Sequence, residues 1–503
     1  MERMALTPAP ILIIGAGIAG LWTALKAAPH PVTLISRAPL GSGTATGWAQ
    51  GGVAGALGPD DDPALHARDT LNTGDGLTDS SVAHLFAHAI PGEIRDLADL
   101  GVPFERDETG ALALGLEAAH SRHRVAHVKG DQAGDAILST LIQAVRAAHH
   151  ITVLDGVWVE ALLSDQAGGC GGVLARTPDG DLARIEAEQT VLAMGGMGGL
   201  FEVTTNPKAA RGQAMAMAYA LGADILDPEF VQFHPTAIDA NLDPAPLATE
   251  ALRGDGAKLI DCDGAPLITD HPQGDLAPRD AVARAVHRAK VEGREPQLDA
   301  RCIGTDFPSI FPNVFKACQA MGLDPRVTPI PVAPAAHYAM GGIATDADGR
   351  TSLPGLWAVG ECASTGLHGA NRLASNSLGE GLVFGTRTAA ALQLAPQRRI
   401  EPLEALPAPK LPPLALTRLR QAMGRFAGVE RDEAGLHQLS TIIAGLRSRH
   451  GDAHELIAAD LIAQGALARR ESRGGHFRTD YTDPVTPIHT RLSIAHPPFA
   501  KEA

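Results

Sequence analysis

Four basic side chains lie in short polar motifs that are typical of a site for small anions. His234 lies in FHPT, His337 in HYAM, Arg279 in APRD and Arg372 in ANRLASN. A guanidinium group can hold a carboxylate with two parallel hydrogen bonds, and imidazole N–H groups can donate further bonds to its oxygens. Thr249 adds a candidate hydroxyl donor. These residue types predict a carboxylate-binding pocket, although an isolated histidine is more often a structural residue than a ligand.

The chain as a whole is acidic, so this positive charge has to be local. It has 503 residues, a formal net charge of -15 and a pI of about 5.7. This balance argues against nucleic acid and against an anionic membrane surface as partners. The sequence contains no uninterrupted run of about 20 apolar residues, which predicts no membrane span.

The cysteines predict a reducing compartment. Five of them are scattered along the chain without a CxxC pair. We therefore expect a cytoplasmic protein with no disulfide framework, zinc site or iron–sulfur cluster. His120, His123 and His127 could suggest a metal site, but no carboxylate or cysteine is spaced to complete it. We interpret these histidines as one solvated face of a helix.

A dinucleotide fingerprint lies near the start of the chain. The pattern Gly15-x-Gly17-x-x-Gly20 stands between an apolar strand at 11–14 and a helix predicted over 21–28. The first glycine permits a tight turn, the second lets the backbone approach a pyrophosphate, and the third lets helix and strand pack closely. The sequence therefore predicts cofactor contacts from Gly15, Ala16, Gly17, Ile18, Ala19 and Gly20.

The second strand, predicted at 32–35, ends without the usual ribose-binding acid. Ser36 and Arg37 stand where an NAD site commonly has Asp or Glu. This leaves FAD or an atypical pocket, with Arg37 beside the cofactor. A second glycine-rich stretch at 41–52 suits either a flexible loop or backbone that lies along a flat ring. Its candidate cofactor contacts are Ala45, Thr46, Gly47, Trp48, Ala49, Gln50, Gly51 and Gly52.

Several motifs along nearly the whole chain resemble the fumarate reductase/succinate dehydrogenase flavoprotein family. AQGG at 49–52 resembles the segment that passes the isoalloxazine ring. Seven further motifs follow in the family's order: TTNP at 204–207, EFVQFHPT at 229–236, TEALRGDGAKL at 249–259, APRDAVARA at 277–285, HYAMGGI at 337–343, TGLHGANRLASNSLGEGL at 365–382 and RRESRGGHF at 469–477.

The resemblance implies an α/β fold with a Rossmann-like FAD-binding domain, an inserted α+β capping domain and a C-terminal helical domain. We place the discontinuous FAD-binding domain at 1–227 and 338–400, and the capping domain at 228–337. A Pro-rich linker follows at 401–414, and periodicity predicts helices in the C-terminal domain at 415–503. Further elements are predicted as a helix at 134–148, strands at 151–154, 157–163, 191–194 and 356–359, and a long helix after Ser377.

The resemblance also implies how FAD is held. Membrane-bound members attach FAD through a histidine five residues before the glutamine of AQGG, where this chain has Ala45. We therefore expect non-covalent FAD. Glu361 corresponds to an acid that bonds the ribityl chain. Ser375, Asn376 and Ser377 are predicted to cap the following helix, which would direct its N-terminus, with Ser377 and Leu378, at the N1–C2=O edge of the flavin.

By the same resemblance, His234, His337, Arg372 and Thr249 hold the two carboxylates of succinate, fumarate or aspartate. Arg279 corresponds to the residue that transfers a proton while hydride moves between substrate and flavin. Arginine is an unusual proton carrier because it normally stays protonated. Neighbouring Arg residues, Glu250 or Asp280 would assist it.

Two positions depart from the family pattern. The family has Gly-Asp-Gly after TTNP, and this chain has Gly212-Gln213-Ala214, which puts a side-chain contact from that Asp to FAD in doubt. Met194 stands where many relatives have Thr.

Glu117 separates the members of the family by substrate. It stands ahead of a His-Ser-x-x-Arg run, where members that oxidise L-aspartate have a glutamate facing the α-ammonium group. Succinate would leave that buried charge unpaired, which is costly. We expect FAD-dependent oxidation of the CH–NH2 group of L-aspartate to iminoaspartate, with O2 or fumarate as acceptor. The resemblance implies that the product passes to quinolinate synthase in NAD biosynthesis.

Two alternatives stay open from the sequence. One is a soluble fumarate reductase or succinate dehydrogenase, which Glu117 disfavours. The other is a non-catalytic flavoprotein, which the intact set of His234, Arg279, His337 and Arg372 disfavours.

Overall fold

The computed structural model describes residues 4–5 and 9–494. Its strands are β1 Met4–Ala5, β2 Ala9–Ile14, β3 Val32–Ser36, β4 Val53–Ala54, β5 Leu114–Gly115, β6 Val125–Ala126, β7 Ile151–Asp155, β8 Trp158–Ser164, β9 Cys170–Arg176, β10 Leu182–Leu192, β11 Ile225–Leu226, β12 Val231–Ile238, β13 Lys258–Ile260, β14 Gln297–Asp299, β15 Ile330–Ala339, β16 Gly342–Ala344, β17 Leu356–Ala358, β18 Ala363–Ser364 and β19 Arg491–Leu492.

The helices follow the same chain order. They are α1 Ile18–Lys26, α2 Pro63–Thr73, α3 Ser80–Leu100, α4 Ala133–Ala147, α5 Gln213–Leu221, α6 Ala251–Gly254, α7 Arg279–Val291, α8 Phe307–Ile310, α9 Pro312–Ala320, α10 Asn376–Gln393, α11 Pro413–Phe426, α12 Glu433–His450 and α13 His454–Ala468.

The main sheet carries the nucleotide fingerprint. Strands β7, β3, β2 and β10 are adjacent and parallel, and β17 also pairs in parallel with β10. The long strand β10 then continues into an antiparallel meander with β9 and β8. Because the carboxyl ends of parallel strands meet at one edge, the turns after β2, β3 and β17 lie together there. The predicted α/β class with a Rossmann-like domain is confirmed.

Three large apolar clusters make up most of the described interior. One covers one face of the main sheet and includes α1, α3, α4 and α10. A second joins the other face to α5 and the C-terminal helices α11, α12 and α13. The third consists of residues between 238 and 332, within the region predicted to form the capping domain. Its sheet is antiparallel in the order β12, β15, β14, β13.

Several sequence-based bounds were wrong. The first helix begins at Ile18, three residues before the prediction, because Gly20 lies inside α1 and packs on the Gly15 carbonyl. The strand predicted at 191–194 is the end of a longer one, Leu182–Leu192. The segment with His120 and His123 is irregular rather than helical. His120 is buried there, and it bonds to the Ala374 carbonyl at 2.9 Å.

Candidate active site and cofactor cleft

A cavity of about 680 Å³ lies between the carboxyl edge of the main sheet and the capping region. It is lined by all the predicted site residues except Gly20. At one end lie the fingerprint, Arg37 and the 42–52 loop, and at the other lie His234, Thr249, Arg279, His337 and Arg372. The structure therefore brings the two predicted constellations into one continuous space.

Each glycine of the fingerprint is required for a different structural reason. Gly15 has φ +119°, and a Cβ there would lie 2.0 Å from the Ala193 carbonyl oxygen. A Cβ on Gly20 would lie 1.9 Å from the Gly15 oxygen. Gly17 is less confined, since its nearest neighbour would be the Thr46 hydroxyl at 3.3 Å. The first and third glycines thus serve packing, while the second leaves the backbone open to a ligand.

Arg37 contributes a cationic side chain to the cofactor end of the cavity. The Arg37 guanidinium stacks on Trp158, 3.7 Å from the ring centroid. Burial, followed by repulsion from Arg211, lowers the pKa of Arg37. Gln213 accepts a bond from the Arg211 backbone N–H at 3.1 Å, and Arg211 pairs with Glu455. The family Asp is therefore replaced by an amide that already has a protein partner.

The flavin region of the cavity fits FAD. Thr44 Oγ1 and Gln50 Oε1 are buried without a protein hydrogen-bond partner, and both residues line the cavity. Helix α10 begins there at Asn376 without a side-chain cap, so its first N–H groups and its positive end are available to an anionic ring edge. Ser377 and Leu378 also line the cavity.

Ser375 stands at the N-cap position of α10, but its side chain does not make the predicted capping hydrogen bond. It has φ +59°, and its hydroxyl donates to Glu117 Oε2 at 2.8 Å. Glu361 lies in the 3₁₀ turn Gly360–Cys362, just after β17, and accepts the Ala339 N–H at 3.1 Å. Burial raises the pKa of Glu361 to about 7. Met194 also lines the cavity.

Arg372 is 3% exposed and is aimed into the substrate end. It donates to Gln232 Oε1 at 3.0 Å and to Ser377 Oγ at 3.3 Å, and its guanidinium lies over the Tyr338 ring. Its Nε is buried without a protein partner. Burial, followed by repulsion from Arg279, lowers the pKa of Arg372 to about 10, so it stays charged at neutral pH. A carboxylate would satisfy the free donor.

His234 and His337 face each other with ring centroids 5.0 Å apart. His234 Nδ1 accepts the Thr236 backbone N–H at 3.3 Å, so Nε2 carries the ring proton. His337 Nδ1 bonds the Thr205 hydroxyl at 2.8 Å. Burial, followed by the charges of neighbouring arginines, holds both histidine pKa values well below the usual value. Both rings are thus neutral, and each carries one N–H donor.

Arg279 is the first of a series of charged side chains that extends from the cavity to the surface. Its Nε donates to Glu250 Oε2 at 2.5 Å, and Glu250 Oε1 lies 3.5 Å from Arg253. Arg253 donates to the Asp275 carbonyl, and Asp275 pairs with the exposed Lys258 at 3.3 Å. Burial acts to raise the pKa of Glu250, but the two arginines lower it below its usual value. This carboxylate is therefore ionised.

Asp280 does not polarise Arg279 as predicted. It pairs with Arg284 at 2.9 Å and accepts a bond from Asn371 at 3.0 Å. The reason is helical geometry, because consecutive residues at the start of α7 point in different directions. Glu250, the other predicted partner, takes that role alone.

Glu117 is 6% exposed and lines the cavity. Within the described residues, no cation lies within ion-pair distance of it, and the Ser375 hydroxyl is its side-chain partner. A buried carboxylate with this little compensation is costly, so the position suits an ammonium group on the ligand.

Three neutral side chains of the site make contacts that the sequence did not predict. They are Gln232, which bonds Arg279 and Arg372, Thr205, which bonds His337, and Ser375, which bonds Glu117. All three lie inside the quoted motifs, yet neutral side chains carry no charge pattern that would mark them. Thr249 is buried and lines the cavity as expected from the resemblance.

Three further features concern the cysteines, possible metal ligands and possible membrane-spanning helices. All five cysteines are free. Among the described residues, no group of three or more His, Cys, Asp or Glu side chains could hold a metal ion. No helix in residues 9–494 has the length and apolar character needed to cross a membrane.

Two family models match the chain. The model described as FAD binding domain matches residues 10–378, and that described as Fumarate reductase flavoprotein C-term matches residues 453–492. The first match covers the fingerprint, the capping region and the segment with Arg372. FAD is therefore the cofactor of this fold.

Curated relatives resemble the chain over almost its full length. An L-aspartate oxidase from Caulobacter vibrioides is 52% identical over 481 residues, or 94% of each chain. Another from Agrobacterium fabrum is 44% identical over 489 residues, covering 96% of this chain and 93% of its own. Among solved structures, a mutant FrdA of E. coli quinol fumarate reductase aligns with a TM-score of 0.87 and 29% identity, covering 98% of this chain and 95% of its own.

Proposed function

The chain belongs to the L-aspartate oxidase family of FAD-binding flavoproteins, and from this premise we infer that it oxidises L-aspartate to iminoaspartate. The observation that carries this inference is the buried Glu117 carboxylate, which lines the cavity without a cation at ion-pair distance among the described residues, whereas the neighbouring Glu250 is paired with Arg279. Bound FAD supplies the acceptor for the hydride that leaves Cα.

The two carboxylates of L-aspartate are assigned to the basic residues. Arg372 offers its unpartnered Nε and adjacent N–H groups to one carboxylate. His234 and His337 donate as neutral imidazoles, and Thr249 donates through its hydroxyl. Because these groups are held in place by the protein, they fix the orientation of Cα before reaction.

The α-ammonium group is assigned to Glu117. Ser375 holds one of its oxygens and leaves the other available to the ligand. Succinate and fumarate lack an ammonium group, so they would leave this carboxylate unpaired. The site therefore favours L-aspartate over succinate as the compound oxidised.

Arg279 is assigned to proton transfer. It can pass its Nε proton to Glu250 Oε2, 2.5 Å away, as it takes one from the substrate. It is then never left deprotonated, which answers the objection that arginine is too weak an acid. Arg253, Asp275 and the exposed Lys258 continue the chain toward solvent.

The same assignment implies how FAD is attached, which electron acceptors are used and where the enzyme acts. FAD is non-covalent, because Ala45 occupies the attachment position. O2 and fumarate are the proposed electron acceptors, and the imino product would pass to quinolinate synthase in NAD biosynthesis. We propose a cytoplasmic location, which the five free cysteines support.

A soluble fumarate reductase or succinate dehydrogenase is the alternative activity. One experiment separates the two. The purified yellow protein is mixed anaerobically with L-aspartate, and a second sample with succinate, while flavin absorbance is followed. We expect bleaching by L-aspartate. Bleaching by succinate with none by L-aspartate would support the alternative, and no bleaching by either would support a non-catalytic flavoprotein.

A further inference from the structure

Two buried arginines share a single hydrogen-bond acceptor in the substrate end. Arg279 donates to Gln232 Oε1 at 3.1 Å, and Arg372 donates to the same oxygen at 3.0 Å. Since arginine can only donate, the amide oxygen must face both guanidinium groups. Gln232 is 1% exposed, so water does not replace this contact. One side chain therefore contacts both cations.

The side-chain nitrogen of Gln232 is also held by hydrogen bonds. Gln232 Nε2 donates to Asn371 Oδ1 at 2.7 Å and to the Arg372 carbonyl at 2.9 Å. Asn371 Nδ2 donates to Asp280 Oδ1 at 3.0 Å. Asp280 follows Arg279 in the first turn of α7, so these contacts form a ring that returns to the starting helix.

The ring crosses a junction between two parts of the fold. Gln232 lies on β12 and Asp280 on α7, and these two elements pack together in the capping region. Asn371 and Arg372 lie in the loop between β18 and α10. The Gly475 N–H also bonds the Ala370 carbonyl at 2.9 Å, which supports this loop from the C-terminal segment.

A neutral amide is suited to this position. The two guanidinium groups repel each other, and an amide oxygen offsets part of that repulsion without carrying charge. A carboxylate would also pair with both arginines, but it would neutralise the charge that a substrate carboxylate needs. Gln232 can therefore align the arginines while leaving them available to an anion.

We propose that Gln232 and Asn371 are positioning residues that align the proton-transferring Arg279 with the carboxylate-binding Arg372 across this junction. The proposal deepens the proposed function and rests on its assignment of the two arginines. In this proposal the two amides set the distance between Arg279, which takes the proton, and the substrate carboxylate that Arg372 binds. Neither amide is required to touch the substrate.

Two substitutions at Gln232 separate alignment from charge. Gln232→Met removes the acceptor at similar volume, so kcat for L-aspartate should fall at least ~tenfold, because a misplaced catalytic group costs rate. The Kd for succinate should change less than ~threefold, since both cations remain. Gln232→Glu should instead weaken succinate binding at least ~tenfold, because the introduced carboxylate competes for both arginines.

The control is Gln189→Glu. Gln189 is a buried glutamine on β10 that accepts from the Trp357 indole, and it does not line the cavity. This variant reports the cost of burying a new carboxylate, and its kcat and succinate Kd should match those of the unmodified enzyme. FAD content and melting temperature are measured on every preparation, and succinate binding is followed through the flavin spectrum.

Asn371→Asp is the second test. It keeps the proposal testable in the event that the Gln232 variants do not fold. The introduced carboxylate still accepts from Gln232 but repels Asp280, so kcat should fall about three- to tenfold with an unchanged succinate Kd. The proposal is overturned if the unmodified enzyme oxidises L-aspartate and the folded variants at both positions keep its kcat and Kd. Loss of kcat and affinity in equal proportion in all variants would also overturn it. If the unmodified enzyme does not oxidise L-aspartate, the proposed function fails instead.

Discussion

At the cofactor end of the cavity the chain presents mainly backbone, whereas at the substrate end it presents charged side chains. The first end is formed by the fingerprint turn, the 42–52 loop and the uncapped start of α10. The second is formed by two arginines, two neutral histidines and the carboxylates of Glu117 and Glu250. The cofactor end thus depends on close approach and helix dipoles, and the substrate end on charge placed at defined atoms.

This contrast has a consequence for variants. A substitution at the substrate end should change catalysis or affinity while FAD is retained. A substitution at the cofactor end should release FAD while the protein stays folded. Five predictions test whether the two ends can be separated in this way.

The largest effect is expected for Arg279→Gln. It removes the proton-transfer group and should lower kcat for L-aspartate about 100- to 10,000-fold, with FAD content unchanged. Steady-state kinetics and flavin absorbance on one preparation measure both. Arg288→Gln, an exposed position on the same helix, is the control and should retain activity. Parallel loss of FAD and activity would show that Arg279 supports the cofactor end as well.

Arg372→Lys should have the next largest effect. Lysine keeps the charge but loses the planar pair of donors, and a charge-assisted bond is worth about 1.5–3 kcal/mol. Succinate binding and the KM for L-aspartate should weaken at least ~tenfold. A spectral titration with succinate measures the affinity. Unchanged succinate affinity would remove Arg372 from the carboxylate site.

Gly17→Val tests the cofactor end. Only the Thr46 hydroxyl lies near an added Cβ, so the fold should tolerate the side chain while the cofactor is excluded. We expect FAD affinity to fall at least ~tenfold and the melting temperature of the FAD-free protein to change little. Gly445→Ala, on α12 with open space around its Cβ, is the control. A cofactor-binding variant with a lowered melting temperature would show that Gly17 serves packing instead.

A smaller effect is expected in the pH dependence of stability through Glu361. Burial raises the pKa of this carboxyl to about 7 in the folded chain. Between the ordinary pKa of glutamate and pH 7, the folded state therefore binds more protons than the unfolded state. The contribution of this group to the stability of the fold falls as pH rises through that interval. Glu361→Gln removes a penalty on the order of 3 kcal/mol.

For the FAD-free protein, Glu361→Gln should therefore raise the apparent melting temperature by a few degrees at pH 8. The difference from the unmodified chain should shrink toward pH 5, where the native carboxyl is already protonated. Thermal scans at both values measure this. A difference that is constant with pH would place the pKa of Glu361 in its ordinary range.

The fold and much of the cavity could be predicted because their signals are local. The fingerprint lies between a strand and a helix, and Arg279, Arg372, His234 and His337 lie in specific motifs. Glycine spacing and residue charge are visible without knowing which segments meet. The Rossmann-like class, the FAD cofactor and the family were therefore within reach of the sequence.

The errors came from contacts that the sequence does not display. The predicted first helix begins at Leu21, whereas close packing of Gly20 on Gly15 allows α1 to begin at Ile18. The histidine spacing predicts a solvated His120, whereas the folded chain buries it against the Ala374 carbonyl, more than 250 residues away. The role of Gln232 between two arginines is invisible in the sequence because an amide carries no charge. Long-range polar contacts decide all three cases.

The most direct test of the whole account is Glu117→Gln. The substitution keeps the shape of the side chain and removes the charge that is assigned to the α-ammonium group. Because a charge-assisted bond is worth about 1.5–3 kcal/mol, kcat/KM for L-aspartate should fall at least ~tenfold. Fumarate has no ammonium group, so fumarate reduction with an artificial reductant should be retained or improved. Both activities and FAD content are measured on one preparation. If the two activities fall in parallel, Glu117 does not select the amino acid and the account is contradicted.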